Sequence, residues 1–273
     1  KRNGKTIYYF GNGKPVLTID FENNVKNGAE IRYYGNGSIK EEKHYKYNRL
    51  HGDFIKYLPN GKRVAVMHYN DGRPDGKHIH YFHSGKPALE INYKLGIKHG
   101  PEIRYYGNGK EKSRLTFSDG RLNGESIYYY ANGQVSLKLT FINNVKNGEE
   151  IHYFYDGKIK IKKNYSEGRL EGKALFYFKN GEKNVEIDYK YNQIHGMKIV
   201  YLPGEKVKSK ERFENGRLNG LCEYFFNNGK IYKRVTYKYG IKDGNETYYH
   251  PNGKVKSNLV YENGRLNGQA IYY

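Results

Sequence analysis

Residues 244–268 read Gly-Asn-Glu-Thr-Tyr-Tyr-His-Pro-Asn-Gly-Lys-Val-Lys-Ser-Asn-Leu-Val-Tyr-Glu-Asn-Gly-Arg-Leu-Asn-Gly. Asn-Gly pairs at 252–253 and 263–264 punctuate runs dense in aromatic and β-branched residues, and a third, 267–268, ends the stretch. Asn-Gly between such runs is a strong hairpin signal, because a type I′ turn needs positive φ at both central residues. Glycine and asparagine tolerate that conformation, and β-branched residues do not. The stretch therefore predicts two short strands joined by tight turns. Glycine stands at both its ends, 24 residues apart, and that spacing holds along the chain: positions 4, 28, 52, 76, 100, 124, 148, 172, 196, 220, 244 and 268 are all Gly. Eleven full 24-residue repeats start at Gly4, with three residues before them and six after. A fixed period of this length is the mark of a repeat architecture, so 273 residues do not convert into a count of globular domains.

Count each repeat from its glycine as position 1. Position 6 is Tyr9, Tyr33, Tyr57, Tyr81, Tyr105, Tyr129, Tyr153, Tyr177, Tyr201, Phe225, Tyr249 and Tyr273. Position 18 is aromatic in every full repeat, from Phe21 to Tyr261. Position 21 is always Gly or Asn, and position 10 is Gly except in the ninth repeat, where Gly204 follows Pro203. No segment has a capped helical periodicity. The expected fold is all-β: an elongated ribbon of consecutive antiparallel β-hairpins in 24-residue units, one twisted single sheet with strands at about positions 3–8 and 11–19. Residues 1–273 read as one continuous array with partial repeats at both ends, cut from a longer chain.

Two-residue turns at both ends of a hairpin would pair position 7 with 12, 6 with 13 and 5 with 14. Positions 5, 7, 12, 14, 16 and 18 would then form the buried face. Positions 4, 6, 11, 13, 15 and 17 would form an amphipathic one. A three-residue loop would instead group 4, 6, 12, 14, 16 and 18. The Asn-Gly pairs favour the first register. The buried face is unevenly apolar, with Glu41 and Lys43 where the sixth repeat has Leu137 and Leu139.

Composition excludes several classes. No apolar run approaches the ~20 residues of a membrane-spanning helix. One cysteine, Cys222, cannot form an internal disulfide, a Cys-rich zinc site or a CxxC pair. The 31 Tyr and 12 Phe argue against disorder. A formal charge of +20 favours acidic partners without bearing on the fold.

The pattern Tyr248-Tyr249-His250-Pro251-Asn252-Gly253-Lys254, followed by Tyr261-Glu262-Asn263-Gly264-Arg265-Leu266-Asn267-Gly268, resembles the bacterial variant of the MORN repeat. The resemblance covers the whole chain, and such arrays include proteins grouped as YwqK-type antitoxins. It implies a non-enzymatic interaction module of β-hairpins that binds proteins, dimerises or contacts anionic lipid. It carries no catalytic motif, and nothing in the chain looks like a toxin or catalytic domain.

The same residues yield few chemical sites. His78, His80 and His83 are close in sequence, but their positions hold other residue types elsewhere, which favours a structural role over zinc. Gly107-Asn108-Gly109-Lys110 lacks the spacing and helix of a phosphate loop and reads as a hairpin turn. We expect no catalytic, cofactor or metal site. The candidate surface is a basic ladder: Lys110, Lys112, Arg114, Lys138, Lys158, Lys160, Lys162, Lys208, Lys210 and Arg234, beside Tyr105, Tyr129, Tyr153 and Tyr177. Cations and aromatics at regular spacing suit an acidic protein groove, a nucleic acid or an anionic membrane. In the bland reading, lysine stems merely cover tyrosine rings. A protein partner is the first expectation; nucleic acid, anionic lipid and homo-association through exposed end strands follow.

Overall fold

Turns, not core packing, dictate this architecture. The computed structural model describes residues 1–268 and 270–272 and is all-β, with no helix among the described residues. Tyr273, the last of the position 6 tyrosines, lies outside them. The chain divides into two compact parts, residues 1–134 with 142–144, and residues 135–141 with 145–273. In each part, successive strands pair antiparallel in chain order, as consecutive hairpins.

The turn at positions 20–21 has two residues, both with positive φ: 50° and 68° at Asn23-Asn24, 48° and 79° at Asn263-Gly264. Its register is the expected one, with Phe21 opposite Lys26 and Glu22 opposite Val25. Each turn is also tied to the preceding repeat. Asn48 donates its N–H to the Lys26 carbonyl (2.9 Å), and its side-chain oxygen accepts the Lys26 N–H (2.7 Å). Asn192 and Leu170 make the same exchange.

The other turn corrects the expectation. The Phe10 N–H donates to the Lys14 carbonyl (2.8 Å) and the Gly13 N–H to the Phe10 carbonyl (3.0 Å), which encloses three loop residues. Gly13 closes the loop at φ 80°, the left-handed conformation of a three-residue hairpin. Position 6 consequently pairs with 12, as in Tyr9 with Pro15, rather than with 13. One extra residue, position 13, is then absorbed as a bulge, and from position 5 onward the expected register returns: Tyr8 faces Leu17 and Thr6 faces Ile19. A loop with one residue more and a bulge with one residue more cancel in parity.

The repeat glycine at position 1 sits in a second bulge. Ile19 pairs with Glu30 and Phe21 with Lys26, so Asp20 alone faces Asn27, Gly28 and Ala29. All twelve of these glycines have φ between 72° and 116°. At Gly28 and Gly196 an added Cβ would stand 3.0 and 2.8 Å from the Cβ of Asp20 and Asp188. Those two carboxylates accept the N–H of Ala29 (3.2 Å) and Met197 (2.9 Å), which closes the bulge.

One face thus carries positions 3, 5, 7, 13, 14, 16 and 18. Its interior is position 3 against position 16: Ile19, Ile91, Leu139, Ile187 and Val235 are buried, as are Glu30, Glu102, Glu150 and Glu246. These four position 3 glutamates occur where Lys26, Lys98, Lys146 and Lys242 stand four residues earlier, at position 23. Each lysine bonds its glutamate at 2.5–2.7 Å. Each also lies over the position 18 ring, 4.6–5.0 Å from Tyr45, Phe117, Tyr165 and Tyr261. Where position 23 is Leu122, Leu170 or Leu218, position 3 is Ser126, Ala174 or Cys222. Glu41 and Lys43 are paired likewise, at 3.1 Å, and on the same face Lys198 reaches Glu211 (3.1 Å).

His78 takes position 3 in the fourth repeat and is wedged between Tyr69 and Tyr93, with ring centroids 5.5 and 4.7 Å away. Burial holds its pKa below the usual histidine value, against the Nε2 bond to the His68 carbonyl (2.7 Å). Charge on His80 and His68 lowers it further. A depressed histidine pKa means that the unfolded chain binds the proton first as pH falls below about 6.5. The urea midpoint should therefore hold above that pH and decline below it. His78→Phe, which copies Phe54 at the same position, should show a shallower decline between about pH 6.5 and 5. An unchanged slope in the variant would remove His78 as its source.

Candidate functional site

The one-residue bulge at position 13 splits the basic ladder into three sets. Position 13 lysines turn to the face that carries position 7: Lys112 lies over Tyr106 at 5.8 Å and Lys160 over Phe154 at 5.7 Å. Lys208 occupies the same position, and all three are exposed. Position 11 lysines run along the loop edge, where Lys110 Nζ donates to the Asn132 carbonyl (2.5 Å); Lys158 has the equivalent place. Only position 15, with Arg114, Lys138, Lys162, Lys210 and Arg234, shares the face of the position 6 tyrosines.

Within the first part, Arg114 stands on that face near Tyr105 and Tyr129. Its guanidinium forks onto Glu111, which raises its pKa. Burial, with the Glu90 and Glu111 carboxylates nearby, pushes the Tyr105 hydroxyl up to about 12, so it remains a neutral donor at physiological pH. Within the second part, Lys162 bonds Glu149 at 2.6 Å and Arg234 bonds Glu223 at 2.9 Å. Arg234 also lies over the Tyr249 ring at 6.0 Å, and Lys210 over Phe225 at 5.7 Å. Tyr153 and Tyr177 are half-buried on the same face, and Lys138 is partly buried there. Lys210 further lines a shallow groove of about 610 Å³ with Met197, Arg212, Leu221, Glu223 and Asp243. On this face the cations are held between rings and carboxylates at fixed distances, a patterned surface rather than a free polycation.

Sequence reading missed the buried Lys–Glu pairs and the turn tips at position 20. The first had a visible signal, the joint occurrence of Lys at 23 and Glu at 3. Among the described residues, no group of three or more His, Cys, Asp or Glu side chains could hold a metal ion. No helix of the described residues is long and apolar enough to cross a membrane.

No curated protein matches the sequence. Among solved structures, the chain is similar to crystal structures of TcdB2-TccC3-TEV (12% identity, covering 93% of this chain and 15% of that one) and TcdB2-TccC3-Cdc42 (11%, 96% and 17%), both with a TM-score of 0.21. The chain spans less than a fifth of their length, and a TM-score this low supports no inference from them. The family comparison is specific. The MORN repeat variant matches residues 26–47, 50–71, 74–95, 122–143, 146–167, 170–191, 218–239 and 242–263, in steps that are multiples of 24. Of the two internal intervals of a full repeat left unmatched, 96–121 and 192–217, the second includes the shifted turn Pro203-Gly204-Glu205. Eight matched segments cover well over half of the sequence, and the hairpin geometry repeats through all of them: the chain belongs to the MORN repeat variant family.

Proposed function

We propose that this protein is a non-enzymatic β-repeat scaffold for protein–protein interaction, an adaptor or an antitoxin of the YwqK type. The observation that carries this reading is the uninterrupted array itself. Each repeat spends its polar residues on turns, bulges and paired charges, and among the described residues no repeat breaks the pattern to assemble reacting groups. Repeat arrays of this kind present one surface many times over, which suits an extended partner. Binding of nucleic acid or anionic lipid through the Lys/Arg–Tyr face ranks lower, because Arg114, Lys162 and Arg234 already hold carboxylates. Affinity capture from the native host should return a stoichiometric protein partner that survives 300 mM salt, a concentration at which screening shortens the Debye length to roughly 6 Å. Recovery of nucleic acid or lipid alone, with loss on raising salt, would reverse the ranking.

A further inference from the structure

The strongest unexplained feature is the set of two-residue turn tips. Position 20 has φ near +50° in every full repeat, where Asn, Asp or Gly fits best. Seven repeats place Asn, Asp or Glu there. Four instead place a large apolar or aromatic residue in this strained conformation: Tyr47 (φ 49°), Leu95 (53°), Tyr191 (52°) and Tyr239 (53°). None of the four gains burial in return, for they are 69, 61, 62 and 64% exposed. Backbone strain and exposed apolar area are two separate costs; at Tyr191 the ring contacts of Arg169 (5.8 Å) and Lys190 (5.7 Å) offset them only in part, so a residue that incurs both points to a partner.

Further facts narrow the partner. Lysine stands at position 19 in these four repeats and in no other: Lys46, Lys94, Lys190 and Lys238, all exposed. The tips are held rigidly, since the N–H groups of Leu95, Tyr191 and Tyr239 bond the side chains of Asp75, Glu171 and Asn219 in the preceding repeat. A hollow of about 550 Å³ opens beside Tyr47, lined by Lys46, Arg49, His51, Asn70 and Asp71. The tips come in pairs 48 residues apart, Tyr47 with Leu95 in the first part and Tyr191 with Tyr239 in the second. Four strand spacings put the members of a pair about 19 Å apart. The tip between them is acidic or polar: Asp71 in the first pair, Glu214-Asn215 in the second.

We infer that these turn tips are docking points for an acidic polypeptide segment whose own apolar side chains seat against Tyr47, Leu95, Tyr191 and Tyr239 while its carboxylates meet the adjacent lysines. This rests on the scaffold reading above and names its surface and partner chemistry. The chain's formal charge of +20 attracts such a segment and opposes a second copy of itself. Alternation with the polar tips Asp71 and Asn215 suits a chain that touches every second tip, whereas a flat anionic membrane would meet the intervening tips as well, with Glu214 beside the second. Preformed tyrosines on a rigid backbone are efficient anchors, because little ordering remains to be done on binding.

The test uses a fourfold variant, Tyr47→Asn, Leu95→Asn, Tyr191→Asn and Tyr239→Asn, which copies the Asn23 and Asn143 tips of this chain and keeps every lysine. Its thermal midpoint should equal or exceed that of the parent, which shows that it folds. The probes are a random Glu/Tyr copolymer, poly-glutamate, and vesicles containing phosphatidylglycerol, all in ~150 mM salt. The parent should bind the Glu/Tyr copolymer at least about tenfold tighter than poly-glutamate, and the variant should lose that advantage. Equal affinity for both polymers, or an advantage untouched in the variant, overturns the proposal. So does tip-dependent binding to vesicles without the copolymer, or a tip-dependent dimer by sedimentation with no polymer bound. A native partner captured equally by parent and variant would leave the scaffold reading standing and remove this surface from it.

Discussion

Gly196→Ala is expected to lower stability by about 3 kcal/mol, near the top of the range for residues forced into a sparsely allowed conformation. Two effects add there. The backbone is at φ 116°, outside what an L side chain adopts readily. The new Cβ would also come within 2.8 Å of the Asp188 Cβ and 2.9 Å of its Oδ2, so the aspartate that holds the Met197 N–H must move. Gly172→Ala gives the contrast. Its φ is 76° and nothing lies within 4 Å of the added carbon, so only backbone strain of about 1 kcal/mol applies. Both glycines are position 1 of their repeats and both lie in the second compact part. Urea denaturation of the two variants measures the gap. Equal losses would show that the glycine is required for φ alone and that the approach to Asp188 costs nothing.

This pair also marks how far the sequence could be read. The recurrence of glycine every 24 residues was visible at once, but its cause was not. A two-residue turn shows itself as Asn263-Gly264, because type I′ geometry requires those residue types. The bulge glycine has no such local signature, since its φ follows from three residues facing Asp20 across the ladder. The same limit shows at Asn252-Gly253, which fits a two-residue turn and equally the three-residue loop that forms, with Gly253 at φ 95°. The strand register from position 5 onward came out as expected, because the extra loop residue and the position 13 bulge compensate each other. Their effect falls on the ladder of cations. Lys112 and Arg114, two residues apart, should share a face by alternation, and the bulge sends them to opposite faces. Parity arguments fail for the residues that lie between two compensating insertions.

Lys98→Leu should destabilise the protein by about 3 kcal/mol at neutral pH, the lower end for breaking a buried ion pair, since the lysine end still reaches water. Glu102 is only 2% exposed and takes bonds from Lys98 (2.6 Å) and Arg104 (2.9 Å). Burial pushes the Glu102 pKa up, but the bonds from Lys98 and Arg104 prevail and hold it below the ordinary carboxylate value. In the parent, a lowered carboxylate pKa adds stability that is full above the unfolded value of about 4.3 and is lost as pH falls through the folded one. Without Lys98, burial acts with less opposition and the folded pKa rises, so acid relieves part of the penalty. The stability gap between parent and Lys98→Leu should therefore be wider at pH 7 than at pH 4. Adding Glu102→Ala should bring the double variant back to within about 1 kcal/mol of the parent, because removing both charges leaves none buried alone. The chain contains that solution already, as Leu170 with Ala174, four residues apart at the same two positions. A gap that does not change with pH, or a double variant no better than Lys98→Leu, would mean that lysine at position 23 acts by packing over the Phe117 ring and not through the carboxylate.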